Sequence, residues 1–146
     1  MTYLPKHSEL GTELYISTRT YSRVFDKYAR ENGLNRTRWT ILWILKKRPG
    51  LKQNELADIL ESAPITLSRQ IDKLEHEGLV ERVKDEQDRR CQKLYLCESA
   101  QPIVKTLQAL SDKLREKALA GISDQDIDRF MTILNTIKTN ISDGEF

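Results

Sequence analysis

The chain has 146 residues, of which 38% are hydrophobic and 32% charged, and its formal net charge at pH 7 is +2. This length suits one domain, or two small lobes that share a core. Two cysteines and no cleavable apolar leader predict a cytoplasmic protein without disulfides. No apolar run approaches the roughly 18 residues that a membrane span needs, so we expect no membrane partner.

The charges are unevenly distributed along the chain. The segment 19–48 holds nine Lys or Arg and two Asp or Glu, whereas the segment 51–97 holds eight and ten. The second segment is therefore not basic in itself. Any binding of nucleic acid there needs cations at selected positions rather than a general positive charge.

A long first helix is predicted from Ser8 to about Glu31, because apolar residues recur there at helical spacing. Residues 1–7 show little pattern and predict an arm that only a partner orders. Asn32-Gly33 ends the helix. The apolar stripe, interpreted first as core, consists of Leu10, Leu14, Tyr21, Val24, Phe25 and Tyr28.

The second predicted helix begins with Thr37 as its cap and runs to about Lys47. Apolar residues lie on nearly every side of it, which is typical of a helix enclosed by other elements. We expect it to form the floor between the two lobes. Pro49-Gly50 forces the turn that follows.

The segment 51–97 predicts a helix-turn-helix. A short helix covers residues 53–60, with Leu56, Ile59 and Leu60 on its apolar side, and Ser62-Ala63-Pro64 ends it and caps the next helix. That second helix runs to about Glu77. Its inner side carries Leu67, Ile71 and Leu74, and its outer side carries the polar and cationic residues Thr66, Ser68, Arg69, Gln70 and Lys73, which suit base edges and phosphates.

A two-stranded hairpin is predicted after this helix. Gly78 is a left-handed helix stop, and Leu79–Lys84 and Gln92–Cys97 have the character of strands. The loop between them carries the basic pair Arg89-Arg90. A helix-turn-helix followed by an arginine-tipped hairpin predicts a mainly α fold with a small β-hairpin wing.

Two further helices are predicted at the C-terminal end. The first spans residues 98–120 and ends at Gly121, and Ser123 caps the last helix. The last helix has apolar residues three and four apart, as in a coiled-coil seam. We expect the first and last helices to pair with those of a second copy, the alternative being that they fold back on their own bundle. The predicted dimer contacts are Leu10, Leu14, Ile127, Phe130, Leu134, Ile137 and Ile141.

The run from Leu51-Lys52-Gln53-Asn54-Glu55-Leu56-Ala57 through Gly78-Leu79-Val80 to Asp88-Arg89-Arg90 resembles the MarR family of bacterial transcription regulators, closest to its SlyA-like branch. The resemblance spans nearly the whole chain, and the wing is its most specific part. It implies a helical dimerisation lobe of residues 1–34 and 99–146 and a winged helix-turn-helix lobe of residues 35–98. One departure is Lys52, which stands where the motif usually has a Ser or Thr cap.

The resemblance implies a dimeric repressor of a pseudo-palindromic double-stranded operator. It implies that Arg90 enters the minor groove while Asp88 orients it through a salt bridge, and that a small aromatic or phenolic anion is a possible effector in a pocket near Thr37, Trp39 and Trp43. Two tryptophans on a buried helix are more often simply core residues. The predicted DNA contacts are Arg36, Arg38, Ser62, Pro64, Thr66, Ser68, Arg69, Gln70, Lys73, Arg89 and Arg90.

No motif in the chain supports catalysis, a metal or a cofactor, so we predict a protein that is not an enzyme. Cys91 follows two arginines, which can lower a thiol pKa, but a structural or incidental cysteine is the preferred interpretation. The alternative function is a winged-helix module that binds proteins and has no specific operator.

Overall fold

The computed structural model describes residues 7–142. The contacts divide the chain into two compact units with their boundary between Leu114 and Arg115. Within the described range, none of the helices is both long and apolar enough to cross a membrane. The elements are α1 (Leu10–Glu31), α2 (Arg36–Lys47), β1 (Leu51–Lys52), α3 (Gln53–Ile59), α4 (Pro64–His76), β2 (Val80–Lys84), β3 (Gln92–Leu96), a 3-10 turn (Glu98–Ala100), α5 (Gln101–Ala118) and α6 (Asp124–Ser142).

The predicted fold class is confirmed. The structure is mainly helical, and the helix-turn-helix of α3 and α4 is followed by a small sheet. Residues 1–6 of the predicted arm lie outside the described residues.

The first unit has one hydrophobic core, to which the helices α1, α2, α3, α4 and α5 and the sheet all contribute. The helix α2 is only partly enclosed by this core: Ile41, Leu42 and Leu45 are buried, whereas both ends of the helix are exposed. Of the predicted apolar side of α3, Leu56 is buried but Ile59 is 43% exposed, because the helix ends at that residue. The largest side chains with under 2% exposure are Ile41, Leu42, Leu45, Leu56, Leu67, Ile71, Val80, Leu94 and Leu107.

Only the C-terminal half of α1 belongs to this core. Phe25 and Ala29 are buried, whereas Leu10 and Tyr21 are 49% and 43% exposed. Interpreting the whole stripe as core is therefore wrong for its first turns, since only the last turns of the helix reach the core of the single chain.

Two predicted helix caps are wrong. Asn35, not Thr37, caps α2, because Asn35 is the extended residue before the helix and its side-chain oxygen accepts from the Arg38 amide at 2.9 Å. At α4 the cap position is Ala63, which has no acceptor, and Ser62 lies one residue too early. Pro64 does occupy the first turn, as predicted.

The sheet has three strands where the sequence predicted two. Its order is β1-β3-β2 and both pairings are antiparallel, with Val80 opposite Leu96 and Lys84 opposite Gln92. The added strand β1 pairs Leu51 with Leu94. A strand of two residues is too short to show an alternating pattern, so only the tertiary pairing reveals it.

A buried carboxylate ties α1 to α2. Asp26 is 8% exposed and accepts from Trp39 Nε1 at 2.8 Å and from Arg36 Nε at 2.7 Å. Burial alone raises the pKa of Asp26, but the hydrogen bonds from Arg36 and Trp39 outweigh it and hold that pKa below its ordinary 3.8. The charged form is thus stabilised by the fold.

We predict that Asp26→Asn lowers the free energy of unfolding by about 2 kcal/mol at pH 7, because a charged acceptor is lost from a buried site. The folded-state pKa of Asp26 lies below the unfolded one. Its stabilisation is therefore complete above about pH 4 and fades as the pH falls through the folded-state value. Urea unfolding from pH 7 to pH 2 measures this. The difference in free energy of unfolding between the wild type and Asp26→Asn should shrink on acidification. A difference that stays constant would contradict the prediction.

The control is Asp128→Asn, on an exposed carboxylate of α6. This variant should unfold like the wild type at every pH.

Candidate nucleic-acid interface

The helix α4 has one buried side and one exposed side. Leu67, Ile71 and Leu74 are 1%, 0% and 4% exposed, as their spacing predicted. The helix ends at Gly78, whose φ of +72° is the predicted left-handed stop. Of the predicted outer residues, Pro64, Thr66, Arg69 and Lys73 are exposed and Ser62, Ser68 and Gln70 are half-buried.

Arg82 on β2 fixes this helix against the sheet. Its side chain is 13% exposed and lies 2.7 Å from the Asp72 carboxylate and 2.6 Å from that of Glu75. It also donates to the Ser68 carbonyl at 3.1 Å and, through Nε, to Gln53 on α3 at 3.0 Å. One guanidinium thus holds α3, α4 and β2 in a fixed arrangement.

Arg82 was not among the predicted site residues. The sequence does contain a feature that could have revealed this contact. Asp72 and Glu75 are three residues apart, so they share a face of the helix, and Arg82 lies on the strand that follows. The contact has two consequences for the predicted site. The single positive charge of Arg82 offsets one of the two negative charges of Asp72 and Glu75, and the guanidinium engages the backbone of Ser68, which was predicted to face DNA.

The turn of the wing is organised by Asp85. This residue is 4% exposed and accepts from the backbone amides of Gln87 at 2.7 Å and Asp88 at 3.2 Å. Its Oδ2 lies 3.4 Å from Lys93 Nζ and 3.8 Å from Lys52 Nζ. The backbone hydrogen bonds and then Lys93 lower the pKa of Asp85, against the opposing effect of burial.

The departure at Lys52 thus has a structural explanation. The Lys52 side chain faces the wing, and the start of α3 is stabilised instead by Glu55, whose carboxylate accepts from the Lys52 amide at 2.9 Å. The missing hydroxyl cap is therefore partly compensated.

The predicted salt bridge between Asp88 and Arg90 is wrong. The Asp88 carboxylate accepts from the Arg90 backbone amide at 3.0 Å and not from its guanidinium. Within residues 7–142, the Arg90 side chain makes no ion pair and is exposed. Asp88 therefore shapes the backbone of the wing and leaves the arginine side chain projecting.

The cations near the site fall into two groups. Arg36 and Arg38, both predicted DNA contacts, have internal partners: Arg36 binds Asp26, and Arg38 lies 2.6 Å from Glu77. By contrast, four exposed cations on α4 and the wing loop 85–91 make no ion pair with any other described residue. They are Arg69, Lys73, Arg89 and Arg90.

A groove of about 260 Å³ lies where the wing comes near α3 and α4. Its lining includes Gln53, Pro64 and Arg90. The exposed start of α4 and the arginine of the wing therefore border the same depression. A long polymer can contact both at once.

The predicted effector residues are not brought together. Thr37 lines a cavity of about 260 Å³ between α2 and α4. Trp39 instead packs on Phe25, with ring centroids 4.5 Å apart, and donates to Asp26. Trp43 lies beneath Lys47, whose Nζ is 4.8 Å from the ring centroid. The tryptophans thus have the contacts of core and interface residues.

The thiol of Cys91 is not activated. Burial, and then the neighbouring carboxylate of Asp88, raise the pKa of Cys91, and its Sγ lies 3.6 Å from Asp88 Oδ2. The idea that the two arginines lower this pKa is therefore wrong, because burial and the Asp88 carboxylate raise it. Among residues 7–142, no cluster of three or more His, Cys, Asp or Glu side chains is placed to hold a metal.

Comparison with known proteins gives one consistent result. Residues 34–92 match the model of the MarR family. A solved structure described as transcriptional regulator PA3341 is 29% identical, with a TM-score of 0.83, and the match covers 92% of this chain and 99% of that one.

Two further solved structures share the fold. The transcriptional regulator SlyA is 21% identical, with a TM-score of 0.74 and coverage of 92% and 94% of the two chains. A MarR family transcriptional regulator of Listeria monocytogenes, solved in complex with a 26mer DNA, is 22% identical, with a TM-score of 0.76 and coverage of 98% and 91%. At these identities the likeness shows the fold alone, and assignment to the SlyA-like branch stays a prediction.

We predict that Arg82→Met lowers the free energy of unfolding by about 2 kcal/mol, because the hydrogen bonds of a mostly buried guanidinium are lost while its acidic partners remain partly solvated. Chemical denaturation measures this change. Lys84→Met, at the exposed end of the same strand, is the control and should change stability by less than about 0.5 kcal/mol. Equal stability of both variants would show that the Arg82 contacts do not hold the site together.

Proposed function

We propose that this chain is a MarR-type transcription regulator, a homodimer that binds a pseudo-palindromic DNA operator and represses transcription. The observation that carries the proposal is the set of four exposed cations on α4 and the wing loop 85–91 that make no ion pair with any other described residue. We place the protein in the cytoplasm, with residues 35–98 as the DNA-binding lobe.

The charge distribution supports this role although the segment 51–97 has more acidic than basic residues. Asp72 and Glu75 are held by Arg82, and Asp85 by Lys93 and Lys52. These pairs remove negative charge from the surroundings of the exposed cations. Phosphates therefore meet a locally positive surface on a nearly neutral protein.

The shapes of the two elements suit the two grooves of DNA. An α-helix fits the major groove, where Arg69 can pair with guanine through two hydrogen bonds. Arg90 on the wing suits a narrow minor groove with its enhanced negative potential. In a dimer, two copies of α4 would enter successive major grooves about 34 Å apart. The Listeria monocytogenes protein of the same fold was solved in complex with a 26mer DNA, which supports DNA binding by this chain.

Dimerisation is proposed from the exposed apolar residues of two helices. α6 has no buried residue in the single chain, and its predicted seam includes Phe130 at 54% and Ile141 at 60% exposure. On α1, Leu10 is 49% exposed. Apolar faces of this kind are usually covered by a partner. A second copy of the chain presents the same faces and gives the two-fold symmetry that a palindrome needs.

The rival function is a protein-interaction module of the same fold, for which the acidic residues near α4 were the main argument. Asp72 and Glu75 both pair with Arg82 of the same chain, which weakens that argument. The binding measurement below separates the two functions.

We predict that Arg69→Ala and Arg90→Ala each weaken operator binding by about tenfold or more, because each removes a cation that contacts DNA. Arg69→Lys distinguishes two roles. If Arg69 pairs with guanine, lysine loses most of the sequence preference, whereas a phosphate contact tolerates lysine. Fluorescence anisotropy with duplexes selected from a random pool, at several salt concentrations, measures both effects.

The control is Lys105→Ala, an exposed cation on α5 outside the proposed interface. It should bind like the wild type. Weak binding at low salt that is the same for all variants, without sequence preference, would favour the interaction module.

We predict that Phe130→Glu shifts the protein from dimer to monomer at micromolar concentration, because it places a charge in an apolar interface. Asn135→Glu, an exposed polar position of the same helix, should remain dimeric. Sedimentation velocity measures the two states. A folded monomeric wild type would exclude the two-half-site arrangement.

We also propose a small aromatic or phenolic anion as effector. The match to the MarR family supports it, and Thr37 lines a cavity beside α4 that can hold such a molecule. We predict that benzoate at millimolar concentration weakens operator binding by the wild type and has less effect on Thr37→Val. Equal weakening of both proteins would separate Thr37 from the effector site, and no weakening of either would exclude this class of ligand.

A further inference from the structure

One residue of α4 does not follow the helix's division into buried apolar and exposed polar sides. Ile65 is 65% exposed, whereas the other large aliphatic residues of the helix, Leu67, Ile71 and Leu74, are at most 4% exposed. Its side chain therefore contributes little to the core of the described chain.

Ile65 lies at the part of the helix that approaches DNA bases in helix-turn-helix proteins, the first turn of the second helix. It is the second residue of α4, and its neighbours Pro64 and Thr66 are also exposed. Arg69 follows it by four residues, so the two side chains lie on one face of the helix, one turn apart. An aliphatic and a cationic side chain are thus presented together.

The major groove offers one apolar group that such a side chain can contact. Among the four bases, only thymine carries a methyl group there, at C5. Hydrogen-bonding groups fill the rest of the groove edge, and an isoleucine can make no hydrogen bond with them. An exposed aliphatic side chain on the base-facing helix therefore favours a thymine.

We propose that Ile65 contacts the C5 methyl of a thymine in each half-site and so determines the base pair at that position. This inference rests on the proposed DNA-binding function. One helical turn rises 5.4 Å, and neighbouring base pairs are about 3.4 Å apart. The thymine therefore lies within about two base pairs of the base or phosphate that Arg69 contacts.

Replacement of thymine by deoxyuridine tests the contact directly, because it removes the methyl group and leaves the hydrogen-bonding groups unchanged. The probes are duplexes selected by the wild-type protein from a random pool. Each thymine is replaced in turn, at the equivalent position in both half-sites. Affinity is measured by anisotropy for the wild type, Ile65→Ala and Ile59→Ala.

At one thymine position, we expect replacement to weaken wild-type binding by about fourfold per half-site. This is the change in affinity that corresponds to the burial of one methyl group. Ile65→Ala should bind the thymine duplex more weakly than the wild type does and respond little to the replacement. Ile59→Ala removes a 43% exposed isoleucine of α3 and should keep the full response.

Two results would overturn the inference. One is a wild-type protein that binds every deoxyuridine duplex as tightly as its thymine counterpart. This measurement uses only the wild type, so it does not depend on whether a variant folds. The other is an Ile65→Ala protein that keeps the full wild-type response. In both cases the selected duplex is still bound, so the DNA-binding function survives. Selection of no duplex by the wild type would remove the function and the inference together.

Discussion

The arrangement of α4, the helix proposed to face DNA, depends on the guanidinium of Arg82. Periodic burial of Leu67, Ile71 and Leu74 fixes which side of α4 faces inward, but apolar packing alone leaves the helix free to slide along its axis. The four partners of Arg82 lie on α3 and on α4, and a planar fork with directed hydrogen bonds permits one position only. Base recognition needs this kind of fixed register.

The same contact explains how a segment with excess negative charge can present a positive surface. Coulomb interactions among solvated groups fall off within about 10 Å at moderate salt, so local pairing matters more than a sum over the segment. Arg82 pairs with Asp72 and Glu75, and Lys93 pairs with the buried Asp85, whereas Arg69 and Arg90 make no ion pair with any described residue. Net charge is thus a poor guide to the surface that a partner meets.

The regular part of the fold was predictable and the contacts that orient the site were not. Apolar spacing located the helices and two strands to within a few residues, because burial depends on local periodicity. The caps at Thr37 and Ser62 were misplaced because capping depends on the backbone conformation of a single residue. The pairings made by Arg82 and Asp85 join residues that are distant in sequence or on different elements, and periodicity carries no information about them.

α1 has two different halves, and this division links the proposed dimer to the DNA-facing lobe. Its 22 residues form a rod about 33 Å long. The first turns expose apolar residues such as Leu10, whereas the last turns are anchored to α2 through Asp26. A partner bound at the exposed end therefore cannot tilt the rod without moving Arg36 and Trp39 or breaking their hydrogen bonds. Since Arg36 also lines the cavity beside α4, such a tilt would change the surroundings of that helix.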